Sequence, residues 1–327
     1  MYISFLNKIM RSAQKKHAGR LFYFPNKISI EPGNICNLRC PLCPTNDPDN
    51  ADIKKGMMSL GDFKIIFDKI SPFVKTIDLF NWGEPFLNKE IGDMVRYARE
   101  RKPGIRVFID SNLNIINDGQ IDAIVRYGLD VLKVSCDGVS QAVYEKYRRG
   151  GNVNDVLENI KRIIRKKEEL KIDKPRIIWK YLVFKHNIHE VNEARRMAGE
   201  LGIDLEASGM RINCGKEIFE TVEESVSRDA EWIPSGTEYD NYKDLGKKKD
   251  TCEKPWKTMT INWDGSVTPC GAIYDCEKYN FGNLIKESFD AVWNGKMSRT
   301  ARGVIADKCD APGTICSICK KNGYQFF

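Results

Sequence analysis

The sequence predicts an α/β fold with a small cysteine-rich α+β appendage, and three observations point there. From about residue 27 to 211, short apolar runs alternate with stretches of helical periodicity. Residues 212–250 lose that rhythm and read as a polar connector. From 251 onward the chain turns cysteine-rich, with short strands around "MTINWDGSVTPC" and a helix near 286–295. The length of 327 residues suits one large domain and an appendage, and 42% apolar with 30% charged residues is ordinary globular composition.

The first strand is "KISIE" (27–31), which leads into a cysteine loop. Ser59 is placed to cap a helix that carries Phe63, Ile66, Phe67 and Ile70 on one face. "TIDLFN" (76–81) reads as a buried strand, with a helix starting at Asn88. "RVFID" (106–110), "DVLKVS" (130–135), "RIIWKYLVF" (176–184) and "DLEASGMR" (204–211) supply four more strands. Helical spacing recurs at Val153, Val156, Leu157, Ile160, Ile163 and Ile164, and again at Val191, Ala194, Met197, Ala198 and Leu201. Six strands alternating with helices imply a parallel sheet covered by helices, with ligands at the carboxyl ends of the strands.

Charge narrows the function classes. Five of the seven net positive charges fall in residues 1–20, on Lys8, Arg11, Lys15, Lys16 and Arg20. The body is nearly balanced, which is no footprint for nucleic acid. Phe5, Leu6, Ile9 and Met10 fit one face of a short basic helix (1–26), either packed on the main domain or, less favoured, resting on a membrane surface. No apolar run is long enough to span a bilayer, and the start lacks the apolar core of a secretory signal, so a cytoplasmic location is expected.

Eleven cysteines in such a chain point to metal rather than disulfides. Cys36, Cys40 and Cys43 form one group in C-x3-C-x2-C spacing; six more lie within 252–319, while Cys136 and Cys214 stand apart. Structural zinc needs four Cys or His ligands, and His17, His186 and His189 are all remote from the first group. A [4Fe–4S] cluster fits better, since three cysteines leave one iron open to a small molecule.

At this point the chain resembles the radical S-adenosylmethionine (SAM) enzymes, whose signature is C-x3-C-x2-C after the first strand of a partial (β/α)6, TIM-like barrel of parallel strands. The resemblance implies that SAM chelates the open iron, that one electron cleaves its C–S bond, and that a 5′-deoxyadenosyl radical takes a hydrogen atom from the substrate. It covers residues 27–211. "NWGEP" (81–85) resembles the family's G-G-E-P element, with Trp82 in place of the first glycine. Gly83, Glu84 and Pro85 are thereby implied to meet SAM's amino group. "DSNLN" offers Ser111 and Asn112, and "SCDG" offers Ser135 and Asp137 to the same pocket. "YRRGG" offers Arg148 or Arg149 to the SAM carboxylate, and Leu42 takes the place of the aromatic residue common beside adenine.

The C-terminal part (251–327) resembles the SPASM/Twitch auxiliary-cluster region of the same family through "CEKPW", "INWDGSVTPC", "NFGNLIKESFDAVWNG" and "CSIC". The implied ligands of at least one auxiliary [4Fe–4S] cluster are Cys252, Cys270, Cys316 and Cys319, with Cys276 and Cys309 as alternatives. In isolation, the same cysteines would also suit a zinc knuckle. A one-electron reductant such as flavodoxin or ferredoxin is an implied partner.

Oxidation or dehydration of a small polyol- or aminosugar-type alcohol is the favoured reaction. Modification of a peptide or protein side chain is the alternative, disfavoured because only about 25 residues precede the first strand. A non-enzymatic iron–sulfur carrier would not need the strand-end residues. Cys214 is a candidate hydrogen donor to a substrate radical, Lys180 and Arg211 are candidate substrate or carboxylate contacts, and Asp264 reads as a turn residue.

Overall fold

The computed structural model describes residues 19–210, 220–243, 252–312 and 314–322. Six parallel strands run β1 (Lys27–Ile30), β2 (Thr76–Asp78), β3 (Arg106–Ser111), β4 (Val131–Ser135), β5 (Arg176–Val183) and β6 (Asp204–Gly209), each paired with its neighbour in chain order. The covering helices are α1 (Leu60–Ile70), α2 (Ile91–Arg101), α3 (Asp118–Arg126), α4 (Gln141–Tyr147), α5 (Val153–Leu170) and α6 (Val191–Glu200). The sheet is open, the partial barrel expected.

Alternation along the strands builds the core. Ile28, Ile77, Val107, Ile109, Leu132 and Val134 are fully buried beneath the helices. At about 1.5–3 kcal/mol for each such side chain, this apolar layer is the main stabiliser of the sheet. Ser59 does cap α1, accepting a hydrogen bond from Asp62 N at 3.0 Å. The helix expected at Asn88 starts later: the Asn88 side chain accepts from Glu90 N at 2.9 Å, so it forms a turn, and α2 begins at Ile91. Helices α3 and α4, which the apolar spacing does not announce, fill the remaining crossovers.

The C-terminal part is not a separate layer. Strand β7 (Thr260–Ile261) pairs in parallel with β1, and β8 (Val267–Thr268) pairs antiparallel with β7. The six-stranded sheet becomes eight-stranded, in the order β6-β5-β4-β3-β2-β1-β7-β8. Short helices α8 (Lys254–Lys257), α9 (Phe289–Trp293), α10 (Lys296–Ile305) and α11 (Ile315–Lys321) complete this part; α7 (Val222–Arg228) lies in the connector. That connector helix opens on a capping box from Thr221 and Glu224. Its Val222 N donates to Asn322 O at 3.1 Å, joining the connector to the chain beyond α11. Cys214 and Arg211 lie outside the described residues, as does the basic stretch before residue 19.

Candidate active site

The loop after β1 holds Cys36, Cys40 and Cys43 at the carboxyl end of the sheet. Its path is set by close backbone contact. A side chain at Gly83 would place Cβ 2.1 Å from Gly33 O, and Glu84 N donates to Ile35 O at 2.9 Å. Glycine is required there because two backbones touch. Pro44 opens a short 3-10 turn just past Cys43, which fixes how the loop leaves the site.

The strand-end residues converge on this loop in two sets. Glu84, buried, accepts from Phe86 N (3.0 Å), Ser111 Oγ (2.7 Å) and Asn112 N (2.8 Å). Both its oxygens are thus engaged within the chain, and through them Glu84 ties the end of β3 to the turn after β2. Burial pushes the Glu84 carboxyl up to about 7, against the pull of those three donors. Asn112 is the member that reaches the loop: Nδ2 lies 3.7 Å from Cys36 Sγ and 3.0 Å from Asn37 Oδ1. Pro85 is buried in the following turn.

The second set comes from β4. Asp137 is fully buried and accepts from Leu182 N at 2.7 Å and Arg148 Nε at 2.6 Å. Arg148 Nη1 is 4.0 Å from Cys40 Sγ. Arg149 is exposed, and only its carbonyl takes part, accepting from Arg39 N at 2.9 Å. Of the two arginines, Arg148 is therefore the one beside the thiols. Ser135 Oγ donates to Asp110 Oδ1 at 2.8 Å, and Asp110 also pairs with Lys180 at 2.8 Å. Leu42 packs against a buried cluster that joins Leu38, Tyr147 and Phe184 to the connector residues Val222, Ile233 and Tyr242, so the connector shares the core beside the loop.

A second thiol group, Cys252, Cys270 and Cys316, gathers in the C-terminal part. Burial raises Cys316, with Cys270 and then Cys252 adding repulsion. Cys252 is raised in turn by burial, with Cys270 contributing. Cys319 follows Cys316 by three positions on α11, on the same side of the helix, and packs toward the Leu38 and Cys40 cluster. The alternatives lie elsewhere. Cys276 is buried near Ser266, Asp264 and Glu31, while Cys309 is exposed against Gly303. Asp264 closes a turn by accepting from Ser266 N at 3.0 Å.

One family profile, the radical SAM superfamily, matches residues 30–172, and another, the SPASM iron–sulfur cluster-binding domain, matches residues 252–320. The chain belongs to the radical SAM superfamily. It is 25% identical over 314 residues to the tungsten-containing aldehyde ferredoxin oxidoreductase cofactor-modifying protein of Pyrococcus furiosus, covering 88% of this chain and 86% of that one. Streptococcus suis SuiB bound to its precursor peptide SuiA shares the fold at a TM-score of 0.64 and 14% identity, covering 91% of this chain and 71% of SuiB. BtrN in complex with AdoMet and 2-DOIA shares it at 0.51 and 14%, covering 88% and 89%.

As a radical SAM protein with a SPASM domain, the chain uses SAM, a [4Fe–4S] cluster and at least one auxiliary iron–sulfur cluster. The donor chemistry of the first loop, three thiols in shelter from water, suits such a group, while among the described residues no three ligating side chains stand close enough to hold a single metal ion. Burial pushes Cys36 up to about 12, and Cys40 up to about 11 against the lowering effect of Arg148. Crowded, desolvated thiols ionise only against strong positive charge, which iron supplies. Cys136, by contrast, is fully buried and donates only to Gly138 O, as an inert structural thiol does.

Two residues escaped the sequence reading. Glu31, just past β1, accepts from Trp82 N (3.1 Å) and Trp263 N (3.4 Å) and so ties the two parts of the protein together. Trp82, noted only as a departure from glycine, sends Nε1 to Ile273 O at 2.9 Å and sets its ring edge-on to Tyr274 at 5.8 Å. An acid ending an apolar strand and a tryptophan where the family has glycine were the available signals.

Proposed function

We propose that this radical SAM enzyme oxidises a small polar molecule by removing a hydrogen atom and then an electron. One observation carries the reading: a run of contacts leads from the first thiol group toward the second. Cys43 Sγ meets Thr45 Oγ1 at 3.4 Å, Thr45 Oγ1 donates to Trp82 O at 2.8 Å, and Trp82 Nε1 donates to Ile273 O, three residues from Cys270. A fixed connection between two redox sites suits a reaction that ends in net two-electron oxidation.

Bound at a cluster held by Cys36, Cys40 and Cys43, SAM supplies the 5′-deoxyadenosyl radical that takes the hydrogen atom. The chain's own residues do the rest. Arg148, held by Asp137 and 4.0 Å from Cys40 Sγ, would meet the SAM carboxylate, and Asn112 and Leu42 would border the rest of the molecule. Cys252, Cys270, Cys316 and Cys319 would hold the electron acceptor, and a carbinol that loses a hydrogen atom, a proton and an electron becomes a ketone. A flavodoxin or ferredoxin would supply the starting electron. On this reading residues 27–211 and 251–327 are the catalytic and auxiliary domains, joined by 212–250.

The test is 5′-deoxyadenosine formation by anaerobically reconstituted, reduced protein, with host-cell extract divided into small-molecule and macromolecular fractions. Stimulation by the small-molecule fraction supports the reading; stimulation by the macromolecular fraction alone moves it to peptide or protein modification. The near full-length similarity to a cofactor-modifying protein favours a second reading, in which the small molecule is a cofactor or its precursor.

A further inference from the structure

The chain enters β1 through a short strap, residues 20–26, at the amino-end rim of the sheet, opposite the cysteine loop. Helix α9 and the residue after it fasten this strap. Leu21 is buried, its N donating to Asn294 Oδ1 at 2.8 Å and its carbonyl accepting from Asn294 Nδ2 at 3.0 Å. Tyr23 O accepts from Trp293 Nε1 at 2.8 Å, and Arg20 pairs with Asp290 at 2.7 Å. The Phe24 ring lies against Phe73 at 4.7 Å and edge-on to Phe289 at 5.2 Å.

Phe22 stands between these anchors and is 91% exposed. The residues on either side are tied down, so its ring is held out in water. Tyr23 and Phe24 also break the surface, at 49% and 37% exposed. A lone exposed apolar side chain is ordinary. Three consecutive aromatic residues on a backbone fixed at both ends make an apolar edge that the fold keeps in place.

Charge says what would cover that edge. Lys8, Arg11, Lys15 and Lys16 precede the strap, and residues 1–20 hold no acid. On the segments packed against it, residues 72–76 and 286–296, Lys75, Lys286 and Lys296 stand against Glu287 and Asp290, and Asp290 is already taken by Arg20. Lys69 and Arg302, bonded to backbone carbonyls of the second segment and its approach, add two more cations. Lys75 N donates to Asn26 O at 2.7 Å, so this exposed lysine flanks the strap, and it makes no ion pair among the described residues. A basic edge with exposed aromatic rings suits an anionic lipid surface, where rings enter the headgroup boundary and cations meet the phosphates. It suits a second copy of the chain poorly. Two basic edges repel, and three such side chains fall short of the about 800 Å² per partner that a stable interface buries.

We propose that the amino-end rim of the sheet docks on an anionic membrane surface. Phe22 and Tyr23 enter the headgroup layer, while Lys75 and the basic residues before the strap supply the attraction. The cysteine loop, at the other end of β1, is left free.

The test is co-sedimentation of the full-length, cluster-loaded protein with vesicles of phosphatidylcholine alone or mixed with phosphatidylglycerol, at low and high salt. Binding is expected to the mixed vesicles only, and to weaken as salt rises. Phe22→Ser is expected to lower affinity about tenfold, the worth of one buried phenyl ring, with Tm and iron content unchanged, whereas Phe22→Trp keeps the binding. Lys15→Gln combined with Lys16→Gln is expected to lower it by about tenfold or more. Failure to sediment with either vesicle overturns the proposal, as does equal binding to both. So does a Phe22→Ser protein that binds fully, or one whose lost binding comes with a lowered Tm. A dimer that Phe22→Ser dissolves, without vesicle binding, would assign the edge to a second copy instead.

Discussion

Replacing Glu31 with glutamine isolates one charge at the joint between the two parts of the protein. Burial pushes the Glu31 carboxyl from an ordinary 4.5 up to about 7, partly offset by the Trp82 and Trp263 N–H groups and the Asn81 side chain, with Asp264 adding a little. An acid raised in the folded state holds a proton that the unfolded chain has released. Its stabilising contribution is therefore full below about pH 4.5 and is lost as pH climbs through about 7. A gap of this size is worth about 3 kcal/mol. Glutamine is uncharged like the protonated acid and keeps one acceptor for Trp82 N, its NH2 falling on the side of Trp263 N, the longer contact at 3.4 Å. Glu31→Gln should thus lie close to the parent near pH 5 and exceed it above pH 8 by about 3 kcal/mol, or about 4 °C in Tm for a chain this long. Anaerobic thermal unfolding of the cluster-loaded proteins, followed by circular dichroism across that range, measures it. A Tm difference that does not change with pH, or a parent that is the more stable at the alkaline end, would refute the reasoning.

Other outcomes follow from the same geometry. Alanine at Cys36, Cys40 or Cys43 should abolish SAM cleavage and lower bound iron, read by 5′-deoxyadenosine assay and iron analysis. Cys316→Ala should leave SAM cleavage but block product turnover; unchanged turnover would reduce the second thiol group to a structural role. Arg148→Met leaves the fully buried Asp137 without its cation and should cost about 3–5 kcal/mol in thermal unfolding. Arg149→Met, which loses only an exposed side chain, should stay within about 0.5 kcal/mol of the parent. Gly83→Ala forces apart the two backbones at Gly33 and should lower iron content more than it lowers helix content by circular dichroism.

The strands were legible because each buries one face: "RIIWKYLVF" and "DVLKVS" alternate or run apolar in a way that helices do not, and β5 and β4 fall within them. The three-cysteine loop was legible from spacing alone. What stayed hidden depends on contacts distant in sequence. Nothing local says that β7, two residues long, lies against β1 more than two hundred residues earlier. Adjacent arginines look alike until the end of α4 buries Arg148 and leaves Arg149 in solvent. The partners of Glu84 were equally hidden: the donors on it come from β3 and its own turn, which sequence order cannot align.

The docking of β7 on β1 has a consequence for how the enzyme can be taken apart. In the whole chain, the first strand of the half-barrel is an interior strand, its backbone groups paired on both sides. Cut away the auxiliary part and that strand becomes a rim of bare amides flanked by the apolar Ile28 and Ile30, ready to add any passing strand. The cysteine loop hangs directly from that rim. A truncated half-barrel would therefore tend to self-associate at the very edge that positions its first cluster, so loss of chemistry after such a cut would report a disturbed sheet as much as a missing second cluster.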